Sequence, residues 1–150
     1  MPTKEALEKA KADKRAGKSA STQAGEFVKE EIENIRKGKH GARSVQQAIA
    51  IGLSEARRAG VDLKPPQKGT VSEKTRKSAI SAYKKGQDHV PVSPTRSAAR
   101  EKALKKESTK TASREALSRQ AKTAAKKRTA AERSAAAKKA AHTRKAAAHS

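Results

Sequence analysis

The stretch GEFVKEEIENIRKGKHGARSVQQAIAIGLSEARRAGV, Gly25 to Val61, decides the fold. Ala24, Phe27, Val28, Ile32 and Ile35 recur at three- and four-residue spacing, the period of one helix face, while Lys29, Glu30 and Glu33 face outward. Acidic Glu26, Glu30 and Glu31 come early and basic Arg36 and Lys37 late, which suits the helix dipole. Gly38 stops this helix. After the loop Gly38 to Arg43, Ser44 and Gln47 form a capping box that opens a second helix, with Arg57 and Arg58 in its last turn and Gly60 beyond its end. The second helix is expected to bury Val45, Ala48, Ile49, Gly52, Leu53 and Ala56. Gly52 lowers helix propensity by about 1 kcal/mol, so a close backbone approach is expected there. Residues 24–60 therefore read as a helical hairpin, with Val61 and Leu63 folding back over its open end.

Outward from the hairpin the signals weaken. Residues 3–16 read as a short polar helix that Thr3 caps and Gly17 ends, followed by a linker to Thr22. Pro65-Pro66 marks a break. Thr70 and Glu73 suggest a capping box for a third helix over about 72–85, which Gly86 ends. Ser93-Pro94 is another helix start, a cap followed by proline at the first position. The expected organisation is all-α: a polar helix and linker at 1–22, the hairpin at 23–63, a linker and short helix at 64–92, and a basic tail, helical or disordered, at 93–150.

Composition separates the tail from the rest. The chain has 150 residues and a net charge of +22, and residues 93–150 alone carry 17 basic and 4 acidic groups, net +13. After Val92 the bulky apolar residues are only Leu104 and Leu117, too few to offset an ordering entropy of roughly 1–2 kcal/mol per residue. From Thr95 onward the sequence is built mainly of Ala, Lys, Arg, Ser and Thr, with low-complexity echoes and no solenoid period. Lysine and arginine are expected on every side of a tail helix, which leaves no apolar stripe for a protein groove or a membrane.

Catalytic and metal chemistry find no constellation in the sequence. Cysteine is absent, and His40, His89, His142 and His149 are scattered without ligand spacing. No serine sits in a nucleophile elbow and no glycine pattern marks a nucleotide loop. Glu30 and Glu31 diverge by about 100° on a helix and read as a solvated face. The expectation is a protein that is not an enzyme and takes no cofactor or metal. No apolar run reaches the roughly 18–20 residues that span a bilayer, and Met1 to Ser21 lacks an apolar signal core, which points to a cytoplasmic protein, at the nucleoid, with no membrane partner.

The tail charge points to phosphate. The expected contacts are Lys105, Lys106, Arg114, Arg119, Lys122, Lys126, Lys127, Arg128, Arg133, Lys138, Lys139, Arg144 and Lys145. Lys39 and Arg43 form a second candidate, flanking a helix N-terminus where an anion is favoured, against the plainer reading of a basic inter-helix turn. Phe27 and Tyr83 are the only aromatics, so a base-stacking platform is not expected and DNA is favoured over RNA. Two alternatives stand beside sequence-nonspecific DNA binding. One is an RNA- or ribosome-associated protein. The other is an interaction module in which the 24–60 hairpin meets a protein partner or a second copy while the tail supplies solubility.

The block Lys39 to Gly60 resembles a KHGARSxxQAIAIGLSxARRAG-type element that marks a family of small, mostly uncharacterised bacterial proteins with Lys/Ala-rich tails. Arg133 to Ala148 is similar to that tail and to those of bacterial histone-like and linker-histone-like proteins, and Ser93-Pro94-Thr95-Arg96 loosely resembles the Ser-Pro-basic motifs of DNA-binding tails. The resemblance implies a bacterial intracellular protein and carries no activity or catalytic residues with it.

Overall fold

The computed structural model describes residues 2–148. The chain is all-α, with no strand among the described residues beyond one isolated bridge between Lys68 and Val71. Helices α1 (Lys4–Arg15), α2 (Ala20–Arg36), α3 (Val45–Arg58), α4 (Glu73–Gln87) and α5 (Pro94–Leu104) and a 3-10 turn (Lys110–Ala112) make one compact unit that ends at Ser113. Helices α6 (Arg114–Lys126) and α7 (Ala130–Ala148) make the second.

The hairpin forms as its sequence dictates. Ser44 Oγ accepts the Gln47 amide at 3.1 Å, and Gln47 Oε1 takes the Arg43 amide at 2.6 Å. Gly38 and Gly60 adopt left-handed φ of 74° and 94°. Each closes a Schellman motif: Lys39 N–H bonds Asn34 O at 3.0 Å, and Val61 N–H bonds Ala56 O at 3.1 Å. At Gly52 the backbone of α3 lies directly against α2. A Cβ there would lie 2.6 Å from Val28 Cα, so the contact that offsets the cost of the glycine is helix backbone against helix backbone.

The core is built on small residues around one aromatic. Phe27 clusters with Ala10, Ala24, Ala56 and Val61, and Leu7, Ala20, Leu53 and Leu63 pack against them. Val61 and Leu63 thus close the end of the hairpin as expected. Phe27 and Ile35 are the largest side chains to be fully buried. Alanines Ala6 and Ala10 seat α1 on α2, which gives a short polar helix the tertiary support it lacks alone.

Several expectations are corrected. The stretch after Gly17 is hardly a linker, because Ser19 caps α2, which starts at Ala20. Ser72, not Thr70, caps α4 by accepting the Thr75 amide at 3.2 Å. Gly86 does not end α4 but lies inside it, pressed against the Arg57 carbonyl so closely that no Cβ fits. On α3 the buried set includes Ile51 and Arg57, while Ile49 and Leu53 are half-buried. Arg57 is 7% exposed, and its guanidinium donates to Leu63 O at 3.1 Å and Lys64 O at 3.2 Å, pinning the segment that leaves the hairpin.

The chain beyond residue 93 also differs from the expected extension. Residues 94–113 belong to the first unit, where Leu104 and Ala112 are buried. Gly41 and Ala42 amides donate to Leu104 O (2.9 Å) and Ser108 O (3.0 Å), and Arg36 Nε donates to Ala112 O (2.9 Å). One leucine suffices here because the backbone supplies the rest of the attachment.

Candidate nucleic-acid interface

The expected phosphate contacts fall on both units. In the first, Lys39 and Arg43 are exposed on the loop between α2 and α3, and Lys105 and Lys106 are exposed just after α5. Lys105 Nζ lies 3.6 Å from Glu101 Oε1. The loop amides at Gly41 and Ala42 are occupied by the 104–108 carbonyls, Arg43 N–H by Gln47 and Gln47 N–H by Ser44, so these backbone donors are already in use. This favours the plainer reading of the loop as a turn that carries two solvent-facing cations.

In the second unit the candidates lie on two helices with different patterns. Helix α6 is sided. Arg119, Lys122 and Lys126, at i, i+3 and i+7, share one face, and Leu117, Ala121 and Ala124 share the opposite one. Arg114, in the first turn, falls on the side of Ala121, so the expectation of cations on every side fails only for the rest of α6. It holds for α7. There Arg133 and Arg144 lie within about 20° of one another, Lys138 and Lys145 about a third of a turn on, and Lys139 about a third further. Lys127 and Arg128 sit in the turn between the helices, and Arg114 opens α6.

Local chemistry holds α7 in place of a core. Every residue from Ala121 to Ala148 is exposed. Thr129 and Glu132 form a reciprocal capping box, the Glu132 amide on Thr129 Oγ1 at 3.1 Å and the Thr129 amide on Glu132 Oε2 at 2.9 Å. This T-x-x-E signal is legible in the sequence and went unused. Alanine supplies helix propensity over 19 residues, beyond the about 12–15 at which an isolated helix becomes marginal.

Residues 11–69 match the family DUF6496, described as a family of unknown function. The matched segment runs from the second half of α1 through the hairpin to the loop before α4, and leaves the basic second unit outside it. No curated protein and no solved structure matches the chain.

Two further features bear on chemistry. Tyr83 is engaged at the surface: its hydroxyl donates to Asp62 Oδ1, and Lys64 Nζ lies 2.8 Å from that hydroxyl and 5.2 Å from the ring centre. The second is a cluster of Glu31, His40, Glu55 and Arg100 whose members are far apart in the chain, and Glu31, expected on a solvated face, is 3% exposed within it. His40 Nε2 is 3.2 Å from Glu31 Oε1, without the alignment of a hydrogen bond, and His40 Nδ1 is 2.9 Å from Gly41 O. Arg100 of α5 donates to Glu55 Oε1 of α3 at 3.3 Å. These groups line a cavity of about 220 Å³, together with Asn34 and Leu104. Among the described residues no His, Asp and Glu side chains group in a way that could hold a metal ion. His142 lies on exposed α7, and His149 lies outside the described residues.

Burial pushes the Glu55 carboxyl up from 4.5 to about 7; the negative charge of Glu31 adds to the rise and Arg100 opposes it. Burial likewise raises Glu31, with His40 opposing. A carboxyl raised on folding stabilises the fold fully below its unfolded value, and that contribution is lost as pH rises through the folded one. Between about pH 4.5 and pH 7 the Glu55 contribution should fall by about 3 kcal/mol. Urea unfolding of the intact protein at about pH 5 and about pH 8 should show the loss, and Glu55→Gln should remove most of the difference. An unchanged slope in Glu55→Gln would mean that another group carries it.

Among the described residues no helix is long and apolar enough to cross a membrane.

Proposed function

We propose that the protein binds nucleic-acid backbones without sequence preference, duplex DNA above RNA, in the manner of a nucleoid-associated or histone-like protein. It acts as a binding protein and not as an enzyme. The observation that carries this reading is the surface of residues 114–148, which hold 11 Lys and Arg against 2 Glu, net +9, on two helices with no buried residue. Cations that no core needs and that few acids balance are free to meet phosphate. Each phosphate they neutralise releases condensed counterions, which drives association. Such contacts carry no base information, so the reading includes no sequence specificity.

The preference for duplex DNA rests on the missing aromatics. Residues 114–150 contain no Phe, Tyr or Trp, and Tyr83 is held by Asp62 and Lys64. Readers of single strands and RNA loops need such rings to stack unpaired bases.

Helix α6 offers the sharpest test, since Arg119, Lys122 and Lys126 share a face. Changing all three to glutamine should make the slope of log affinity against log salt shallower by about 3, equally on unrelated duplex sequences. Glutamines at the exposed Lys74, Lys77 and Lys84 of α4 should leave the slope nearly unchanged. Equal slopes for the α6 variant and the unmodified protein would remove the basis for this reading.

A further inference from the structure

The first unit carries an open groove of about 910 Å³ that the phosphate reading does not use. It lies between α3, α4, α5 and the segment from His89 to Ser93, with Pro2 and Leu7 at one side. Its surface is mostly apolar, with Leu7, Ala82, Val90, Pro91 and Val92 among the lining residues. Val90 and Val92 are 43% and 39% exposed, two of the four large hydrophobic residues that the described chain leaves open to solvent.

Cations stand among the same lining residues. Arg58, Lys85, Arg96 and Arg100 all line the groove, and Glu55 is the only acid there. Glu55 is already held by Arg100. Arg58 is tethered by one hydrogen bond to Pro91 O at 3.3 Å, which places its guanidinium beside the valines. A groove lined by both aliphatic and cationic side chains is complementary to a segment that is both acidic and aliphatic.

We propose that this groove docks an acidic, leucine- or valine-bearing segment of a partner protein. The partner's aliphatic side chains would sit on Val90, Val92 and Leu7, and its carboxylates would meet Arg58, Lys85 and Arg96. The other occupants fit less well. A second copy of a +22 chain, or its own basic helices, would bring like charge to these cations. Nucleic acid would find the cations but no Phe, Tyr or Trp ring among the lining residues on which to stack a base. This inference stands apart from the phosphate reading: one surface would hold nucleic acid and the other a protein.

The test uses the full chain at about 150 mM salt, where exposed charges act over about 8 Å. Two fluorescein-labelled peptides of equal charge serve as probes, one alternating glutamate with leucine and one alternating glutamate with serine. Fluorescence anisotropy should show the leucine peptide bound about tenfold more tightly, a difference of about 1.4 kcal/mol. The double variant Val90→Ser/Val92→Ser should abolish that preference, and Lys85→Ala/Arg96→Ala should weaken the leucine peptide severalfold. These side chains are half-buried or exposed, and circular dichroism would verify that each variant stays folded. Glutamines at Lys138, Lys139 and Arg144 should weaken both peptides alike and leave the preference intact. Equal binding of the two peptides, or a preference that survives in Val90→Ser/Val92→Ser, would overturn the proposal. So would a single-stranded oligonucleotide whose own binding falls with the same groove variants and which displaces the leucine peptide, since the groove would then be a nucleic-acid site.

Discussion

Replacing Phe27 with alanine should lower the stability of the first unit by about 3–5 kcal/mol, the usual cost of removing a fully buried aromatic ring. Phe27 is 1% exposed and sits among Ala10, Ala24, Ala56 and Val61. That neighbourhood places the effect at the upper end. Alanine side chains have no rotamers with which to fill a void, and the α2–α3 contact at Gly52 is already backbone on backbone, so the helices have little room to collapse further. A domain of this size is held by about 5–15 kcal/mol in total, so Phe27→Ala should be marginally folded or unfolded at room temperature. Urea unfolding followed by circular dichroism measures the change. Ile80→Ala provides the comparison: Ile80 is 38% exposed and its truncation should cost well under half as much. A loss below about 1 kcal/mol for Phe27→Ala would mean that the core lies elsewhere.

What the sequence revealed was local. Gly38 and Gly60 end helices because the left-handed turn needs no long-range partner to be recognised, and Ser44 with Gln47 announces a helix start within four residues. Gly52 was readable because a glycine on an apolar helix face needs a compensating contact. The same reasoning misread Gly86. Its place late in a polar helix looks like a stop, whereas it is small because Arg57 of another helix presses on it. The sequence places Arg57 only in the last turn of α3, and it is the fold that brings the Leu63 and Lys64 carbonyls to its guanidinium.

The candidate sites divide along the same line. The charge of the tail is a sum over residues and needs no structure. The side of α6 on which it falls was available from the i, i+3, i+7 spacing of Arg119, Lys122 and Lys126, and was hidden by treating the tail as one helix. The His40–Glu31 and Glu55–Arg100 contacts and the groove beside Val90 join residues from separate helices and loops. No periodicity in one segment reports on such meetings. The attachment of residues 94–113 was missed for a related reason. Counting bulky side chains overlooks backbone hydrogen bonds such as Gly41 N–H to Leu104 O.

That attachment determines how the central claim should be tested. A deletion from residue 95 would remove α5, Leu104 and Ala112 and damage the first unit, whereas one after Ser113 removes only the second. The decisive measurement is binding of the full chain and of residues 1–113 to labelled duplex DNA and hairpin RNA across about 50–300 mM salt. With about 6–10 phosphates engaged, the full chain should lose on the order of 10³–10⁵ in DNA affinity between about 50 and 200 mM salt. It should bind DNA at least as tightly as RNA at matched salt, and the shorter chain should bind weakly with a much shallower slope. If residues 1–113 bind duplex DNA as tightly and as steeply as the full chain, or if RNA is clearly preferred, α6 and α7 are not the DNA-binding surface proposed above.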